Sequence, residues 1–204
     1  ATVIYQEEGN IAGQAETLSA RFIIFKHLYE KTHAPSYLIL ARLNAQAGVE
    51  IAKQTNDETA LAIPYLNLGK AYELENKYQE AAQNYQQALE LNTNHPSPQH
   101  NKAAIRADLK SHLAYAQYKS RNHGALKNMD QAIQELEQTS DAPEFEKKVW
   151  LSGAHMRTAE MIYKENLKQA NIHLNKASQI IASDPQLTLR KGQWEKLNKE
   201  INSI

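Results

Sequence analysis

The sequence predicts an all-α fold of stacked helical hairpins, and three observations carry that prediction. Tyr65, Leu68, Gly69 and Tyr72 are followed by Ala81, Tyr85 and Ala88, an alternation of large and small residues suited to two closely packed antiparallel helices. Weaker copies of this pattern stand on both sides of it. Only 7 Gly and 6 Pro occur in 204 residues, too few for the tight turns of an all-β chain, whereas the helix formers Ala, Gln, Leu, Lys and Glu are abundant.

In the central hairpin, steps of three and four place Tyr65, Leu68 and Tyr72 on one stripe of a first helix. Gly69 lies inside that stripe. A glycine within a helix costs about 1 kcal/mol relative to alanine, so close approach by a second helix is the expected reason for it. That second helix carries Ala81, Tyr85 and Ala88, and the polar Glu75-Asn76-Lys77 has the length of a turn between antiparallel helices. Pro64 predicts either a kink between Ala60 and Pro64 or a helix that begins only at Ile63.

On these residues, the segment from Ala62 to His95 resembles a tetratricopeptide repeat, a helix-turn-helix unit of ~34 residues. The first aromatic of the family, usually Trp, is Tyr65 here; its later Phe is Tyr85, and its closing Pro falls at Thr93. The resemblance implies a right-handed α-α superhelix of about four hairpins with a C-terminal capping helix.

A single hairpin cannot bury its apolar face alone, so neighbouring copies are expected. Upstream, Phe22, Phe25 and Tyr29 match the first stripe, and Ala41, Ala45 and Gly48 match the second. The turn through Lys31-Thr32-His33-Ala34-Pro35 reads as about three residues longer than the central one, and Lys26 replaces the packing glycine. Downstream, Leu109, Leu113 and Ala116 pair with Ala125, Met129, Ala132 and Leu136 around a turn at Asn122-His123-Gly124. A fourth pair runs from Phe145, Val149 and Trp150 through Ala159 and Ile162, and returns through Ala170, Leu174 and Ala177. Ser97-Pro98, Asp141-Ala142-Pro143 and Asp184-Pro185 each read as a polar cap beside a first-turn proline. The organisation expected is therefore one domain over 1–204, with a tail at 1–9 that lacks helical period and repeats at 10–55, 57–95, 97–140 and 141–183. A terminal helix at 184–204 completes it. Leu187, Trp194, Leu197, Ile201 and Ile204 form a seam on that helix, which is expected to cap the last repeat; its alternative is an oligomer contact.

Charge and composition narrow the function. Lys plus Arg equals Asp plus Glu at 23 each, so no net charge draws the chain to nucleic acid, and no nucleic-acid partner is expected. No apolar run reaches the roughly 20 residues of a membrane span. With no Cys, disulfides, thiolate metal sites and cysteine nucleophiles are excluded, although the compartment is not fixed. Among 8 His, including His95, His100 and His123, there is no HExxH spacing; GxSxG and phosphate-loop motifs are likewise missing. No metal, no cofactor and no catalysis are therefore expected.

What remains is recognition. In arrays that this chain resembles, first helices line a concave groove that holds a peptide or partner segment. Carried onto this sequence, the resemblance implies groove positions at His27, Asn67, Lys70, Glu73, His112, Tyr115, Tyr118 and Arg157, with Ile23, Ile63, Leu66, Asp108, Ser111, Met156 and Glu160 on the same faces. Family members that hold a C-terminal carboxylate use Lys, Asn and Arg over three repeats. Asn67 matches one such Asn, but Ile23, His27, Asp108 and His112 stand where other members of the set are needed. The expected function is a non-catalytic scaffold that binds a protein or peptide. The alternative is a ligand- or peptide-sensing regulatory domain, because Glu50-Ile51-Ala52-Lys53-Gln54-Thr55-Asn56-Asp57 resembles the longer repeats of bacterial peptide sensors and polarity scaffolds.

Overall fold

A computed structural model of the chain describes residues 2–55, 61–94, 102–122 and 124–203. It is all-α, with ten helices and no strand among the described residues. They fall into two compact units, Ala1–Asn101 and Lys102–Ile204. The first holds α1 (Thr2–Glu7), α2 (Ile11–Thr32), α3 (Pro35–Ala52), α4 (Ala62–Leu74) and α5 (Tyr78–Thr93). The second holds α6 (Ala103–Lys119), α7 (Ala125–Gln138), α8 (Glu144–Ile162), α9 (Leu167–Ala182) and α10 (Thr188–Asn202). The Ser97-Pro98 start, His95, His100, His123, Ala60 and Ile204 lie outside the described residues.

The first unit consists of the hairpins α2–α3 and α4–α5, with α1 against α2. Residues 2–7, expected without helical period, are this short helix; the Tyr5 ring lies over Gly13, where an added Cβ would come within 2.7 Å of it. Asn10 then caps α2, its side chain accepting from the Gly13 N–H at 2.9 Å. The turn between α2 and α3 is shorter than the sequence suggests. His33 takes a left-handed conformation and donates its N–H to the Tyr29 carbonyl, while Pro35 opens α3, so only His33 and Ala34 lie between the helices. The extra residues lengthen the helices instead. The Glu50–Asp57 phrase closes α3 at Ala52 and turns through Lys53–Thr55, with Asn56 and Asp57 outside the described residues.

Between these hairpins the core contains Phe22, Ala41, Ala45, Val49, Leu68 and Ala71, against which Phe25, Leu61, Tyr65 and Tyr72 pack. Pro64 causes no conflict, because α4 starts at Ala62 and places it in the first turn, where no intrahelical N–H bond is lost. Within the α4–α5 hairpin, the fully buried Tyr85 ring lies across Gly69, and its hydroxyl donates to Glu73 Oε2 at 2.7 Å, one turn further along α4. Ala81 and Ala88 are fully buried on either side of Tyr85. The turn is closed by Lys77 N–H to Tyr72 O at 2.9 Å and Asn76 N–H to Glu73 O at 3.0 Å, with Asn76 at φ 58°. Asparagine tolerates that conformation well.

The second unit repeats the design. Ala125, Met129, Ala132 and Leu136 are fully buried on α7, as are Ala170, Leu174 and Ala177 on α9. The α6–α7 turn has the same two closing bonds, from Asn122 N–H to Gln117 O and from Arg121 N–H to Tyr118 O, but here the left-handed residue is Arg121 at φ 74°. That conformation costs a non-glycine residue about 1–2 kcal/mol. Arg121→Gly is expected to raise the unfolding free energy of this unit by about 1 kcal/mol, measurable by chemical denaturation.

Asp141 and Asp184 do not cap the helices that follow them. The Asp141 carboxylate accepts from the N–H groups of Ala103 and Ala104 at 2.6 and 3.2 Å, closing the start of α6 from 38 residues away, while α8 begins after Pro143 without a side-chain cap. Asp184 accepts from the Gln186 N–H within its own turn and pairs with Lys148 on α8 at 3.4 Å. The terminal helix α10 packs on α8 and α9, burying Leu187 and Ile201. Trp194 donates its indole N–H to the Leu174 carbonyl at 2.9 Å. Of the seam residues, Leu187, Trp194 and Ile201 thus pack within the unit, while Leu197 is half-buried. No described helix is long and apolar enough to cross a membrane.

Candidate interaction surface

The first helices of each unit carry the residues to which the sequence points. In the first unit, α2 and α4 pack against each other. Phe22 turns into the core from one side of α2, which leaves Ile23 at 46% exposure; on α4, Ile63 is 52% exposed beside the buried Ala62 and Pro64. His27, Leu66 and Lys70 are half-buried. Asn67 is the exception, at 5% exposure, and its amide Nδ2 has no hydrogen-bond partner. A buried donor left unpaired costs about 1–3 kcal/mol, so this amide is a structural expense within an otherwise apolar interface. Glu73 is half-buried, and its carboxylate accepts the Tyr85 hydroxyl, which ties it to the hairpin's own packing.

In the second unit the positions expected to face a groove are mostly buried between α6 and α8. Arg157 on α8 donates to Ser111 Oγ at 2.6 Å and reaches Asp108 Oδ1 at 3.4 Å, with His112 Nε2 3.3 Å from its Nη1. Tyr115 donates to Glu160 Oε1 at 2.6 Å, and Lys119 donates to the same oxygen at 2.9 Å while its ammonium lies over the Tyr115 ring. Tyr118 is buried too; burial and the neighbouring Glu165 carboxylate raise its phenol above the usual range. These side chains join adjacent hairpins, and only part of Arg157 reaches the surface. Four alanines of α6, Ala104, Ala107, Ala114 and Ala116, are fully buried as well.

Three groups have no counterpart in the sequence reading. Gly153 leaves room for two guanidiniums, with Arg190 of α10 meeting Arg157 over it. Lys147 donates to the carbonyls of Glu137 and Thr139, closing the end of α7. His155 on α8 and His173 on α9 meet in the core, Nδ1 to Nδ1 at 3.1 Å. Burial, then His173, then Lys176 push His155 down to about 4; burial and Lys176 also lower His173, against the pull of Asp130. An i,i+4 pair such as Gly153 and Arg157 was available to sequence inspection, but its partner Arg190 belongs to another helix. No group of three or more His, Asp or Glu side chains suited to a metal occurs among the described residues.

Residues 62–95, the α4–α5 hairpin, match the tetratricopeptide repeat family model. Comparison with curated proteins and with solved structures found no match.

Proposed function

We propose that this protein is a non-catalytic interaction module that takes an extended peptide or partner segment along α2 and α4, the first helices of the hairpins in its first unit. Tetratricopeptide repeats generally mediate protein-protein interaction, and the matched hairpin supplies α4. The single observation that carries the reading is the exposure of Ile23 and Ile63 on the packed helices α2 and α4, with the unpartnered amide donor of Asn67 buried one turn along α4 from Ile63. Apolar peptide side chains would cover the two isoleucines, and a rotation of the Asn67 side chain that opens its amide would let a peptide carbonyl accept from it. The stacked hairpins hold these groups in place before binding, so little ordering entropy is lost on the receptor side. Tyr115, Tyr118 and His112 serve mainly to join hairpins, and His27, Lys70, Glu73 and Arg157 border the faces.

Selection of peptides from a random display library tests this directly. Recovered sequences should share apolar residues and bind about tenfold more weakly to the Asn67→Ala variant, in keeping with loss of one hydrogen bond to a buried donor. Failure to recover any binding sequence, or binding indifferent to both Asn67→Ala and Ile63→Lys, would remove the reading.

A further inference from the structure

The neutral charge of the chain is the sum of two opposite parts. The first unit, Ala1–Asn101, has 7 Lys and Arg against 11 Asp and Glu, whereas the second, Lys102–Ile204, has 16 against 12. Much of the second unit's surplus lies at one end of it, where its two hairpin turns meet. Lys119 at the end of α6 binds Glu160 on α8 at 2.9 Å, and Glu165 adjoins Tyr118, so the α6–α7 and α8–α9 turns lie side by side. This end carries Lys119, Arg121, Lys127, Lys164 and Lys168 against the carboxylates of Glu160, Glu165 and Asp130. Glu160 is taken by Tyr115 and Lys119. Arg121, Lys127, Lys164 and Lys168 are exposed, and none of the four makes an ion pair among the described residues. Lys127 and Lys168 stand in the first turns of α7 and α9, which hold no acidic residue. The helix dipole disfavours a cation there, so neither lysine serves the stability of its own helix.

We propose that this end of the second unit is a docking surface for an acidic segment of a partner protein, one that sets an apolar residue between carboxylates. Leu167, 48% exposed, lies between Lys164 and Lys168 in sequence and would meet the apolar residue, while the two lysines meet the carboxylates beside it. Arg121 and Lys127 extend the positive surface over the neighbouring turn. A surplus of two positive charges suits a short acidic segment better than nucleic acid, whose binding rests on many neutralised phosphates and, in single strands, on aromatic rings open to stacking. Here Tyr118 is buried and the Lys164 ammonium lies over the Tyr163 ring. An anionic membrane fits less well, since one exposed leucine offers little to insert. The surface belongs to the second unit alone and does not depend on the peptide reading of α2 and α4.

The test uses the full chain at low ionic strength and three degenerate nonapeptide libraries, in which the positions on both sides of a central Leu are Glu, Gln or Lys. The Glu library should bind about tenfold more tightly than the Gln library, or better, and lose that preference as salt is added. Lys164→Glu with Lys168→Glu should abolish the preference. Lys191→Glu with Lys199→Glu, an equal change of net charge at two exposed lysines of α10, should leave it intact. Equal loss with both pairs would show a response to net charge and overturn the surface, as would equal binding of the Glu and Gln libraries. Loss with Ile63→Lys, and none with the Lys164 and Lys168 pair, would assign the acidic ligand to α2 and α4 instead. Binding of an RNA oligonucleotide or of phosphatidylserine vesicles through Lys164 and Lys168, with the Glu library unbound, would overturn the acidic segment as the partner.

Discussion

Gly69→Ala is expected to destabilise the first unit by about 1–2 kcal/mol, although alanine is the better helix former by about 1 kcal/mol. The added methyl would come within 2.6–2.7 Å of the Tyr85 ring, which is fully buried and fixed at its far end by the bond to Glu73. The ring cannot swing aside without losing that bond or displacing its neighbours, and overpacking of this kind typically costs 1–3 kcal/mol. Tyr85→Ala is expected to cost about 3–5 kcal/mol through the cavity it leaves. The pair supplies a sign test. In the Tyr85→Ala background the obstacle is gone, so Gly69→Ala should become neutral or stabilising. Denaturant unfolding of the four proteins in the cycle gives the coupling directly; a Gly69→Ala effect that keeps its size and sign without the Tyr85 ring would show that the two residues do not meet.

Acidification is expected to weaken the second unit by roughly 3 kcal/mol through His155 alone. In the folded chain His155 is nearly inaccessible and titrates at about 4, against 6.5 for an unperturbed imidazole. Between those values the unfolded chain binds the proton and the folded chain refuses it. The contribution is therefore complete above pH 6.5, declines as pH falls, and is lost below about 4. His173, lowered by burial, adds in the same direction. Carboxylates titrate in part of this range as well, so the His155 share is isolated by following its ring resonances by NMR. An imidazole that charges near pH 6.5 in the folded chain would contradict the buried pair. His155→Gln should flatten the stability profile between pH 6.5 and 4 while leaving the profile of the first unit unchanged.

The helices were legible wherever packing rests on local spacing. Tyr65, Leu68, Gly69 and Tyr72 announce one helix face and Ala81, Tyr85 and Ala88 its partner, because both stripes repeat with helical period and lie close in sequence. The small-large-small order at Ala125, Met129 and Ala132, and again at Ala170, Leu174 and Ala177, extends the same logic to the second unit, where all six are buried. Turn lengths were less legible. His33 closes α2 by adopting a left-handed conformation, so residues that look like loop become helix.

Long-range polar contacts were not legible, because their partners have no fixed sequence separation. Asp141 resembles a cap for α8 and instead serves α6, since the carboxylate finds open N–H groups across the hairpin. The same holds for His155 with His173 and for Arg157 with Arg190, whose meetings depend on how antiparallel helices register. Sequence spacing placed Asn67 and Arg157 on first helices of hairpins, and the structure has them on α4 and α8. Which of the expected positions would be buried depended on neighbouring helices: α8 covers Tyr115 and His112, while Ile23 and Ile63 stay exposed.

Mapping the contact surface of a library-selected peptide by amide and methyl NMR tests the account most directly. Perturbations should centre on Ile23, Ile63 and the Asn67 side-chain amide of α2 and α4, with the Asn67 Nδ2 protons moving to the shifts of a newly formed hydrogen bond. Perturbations confined to α3 or α5, with the Asn67 amide unchanged, would contradict it.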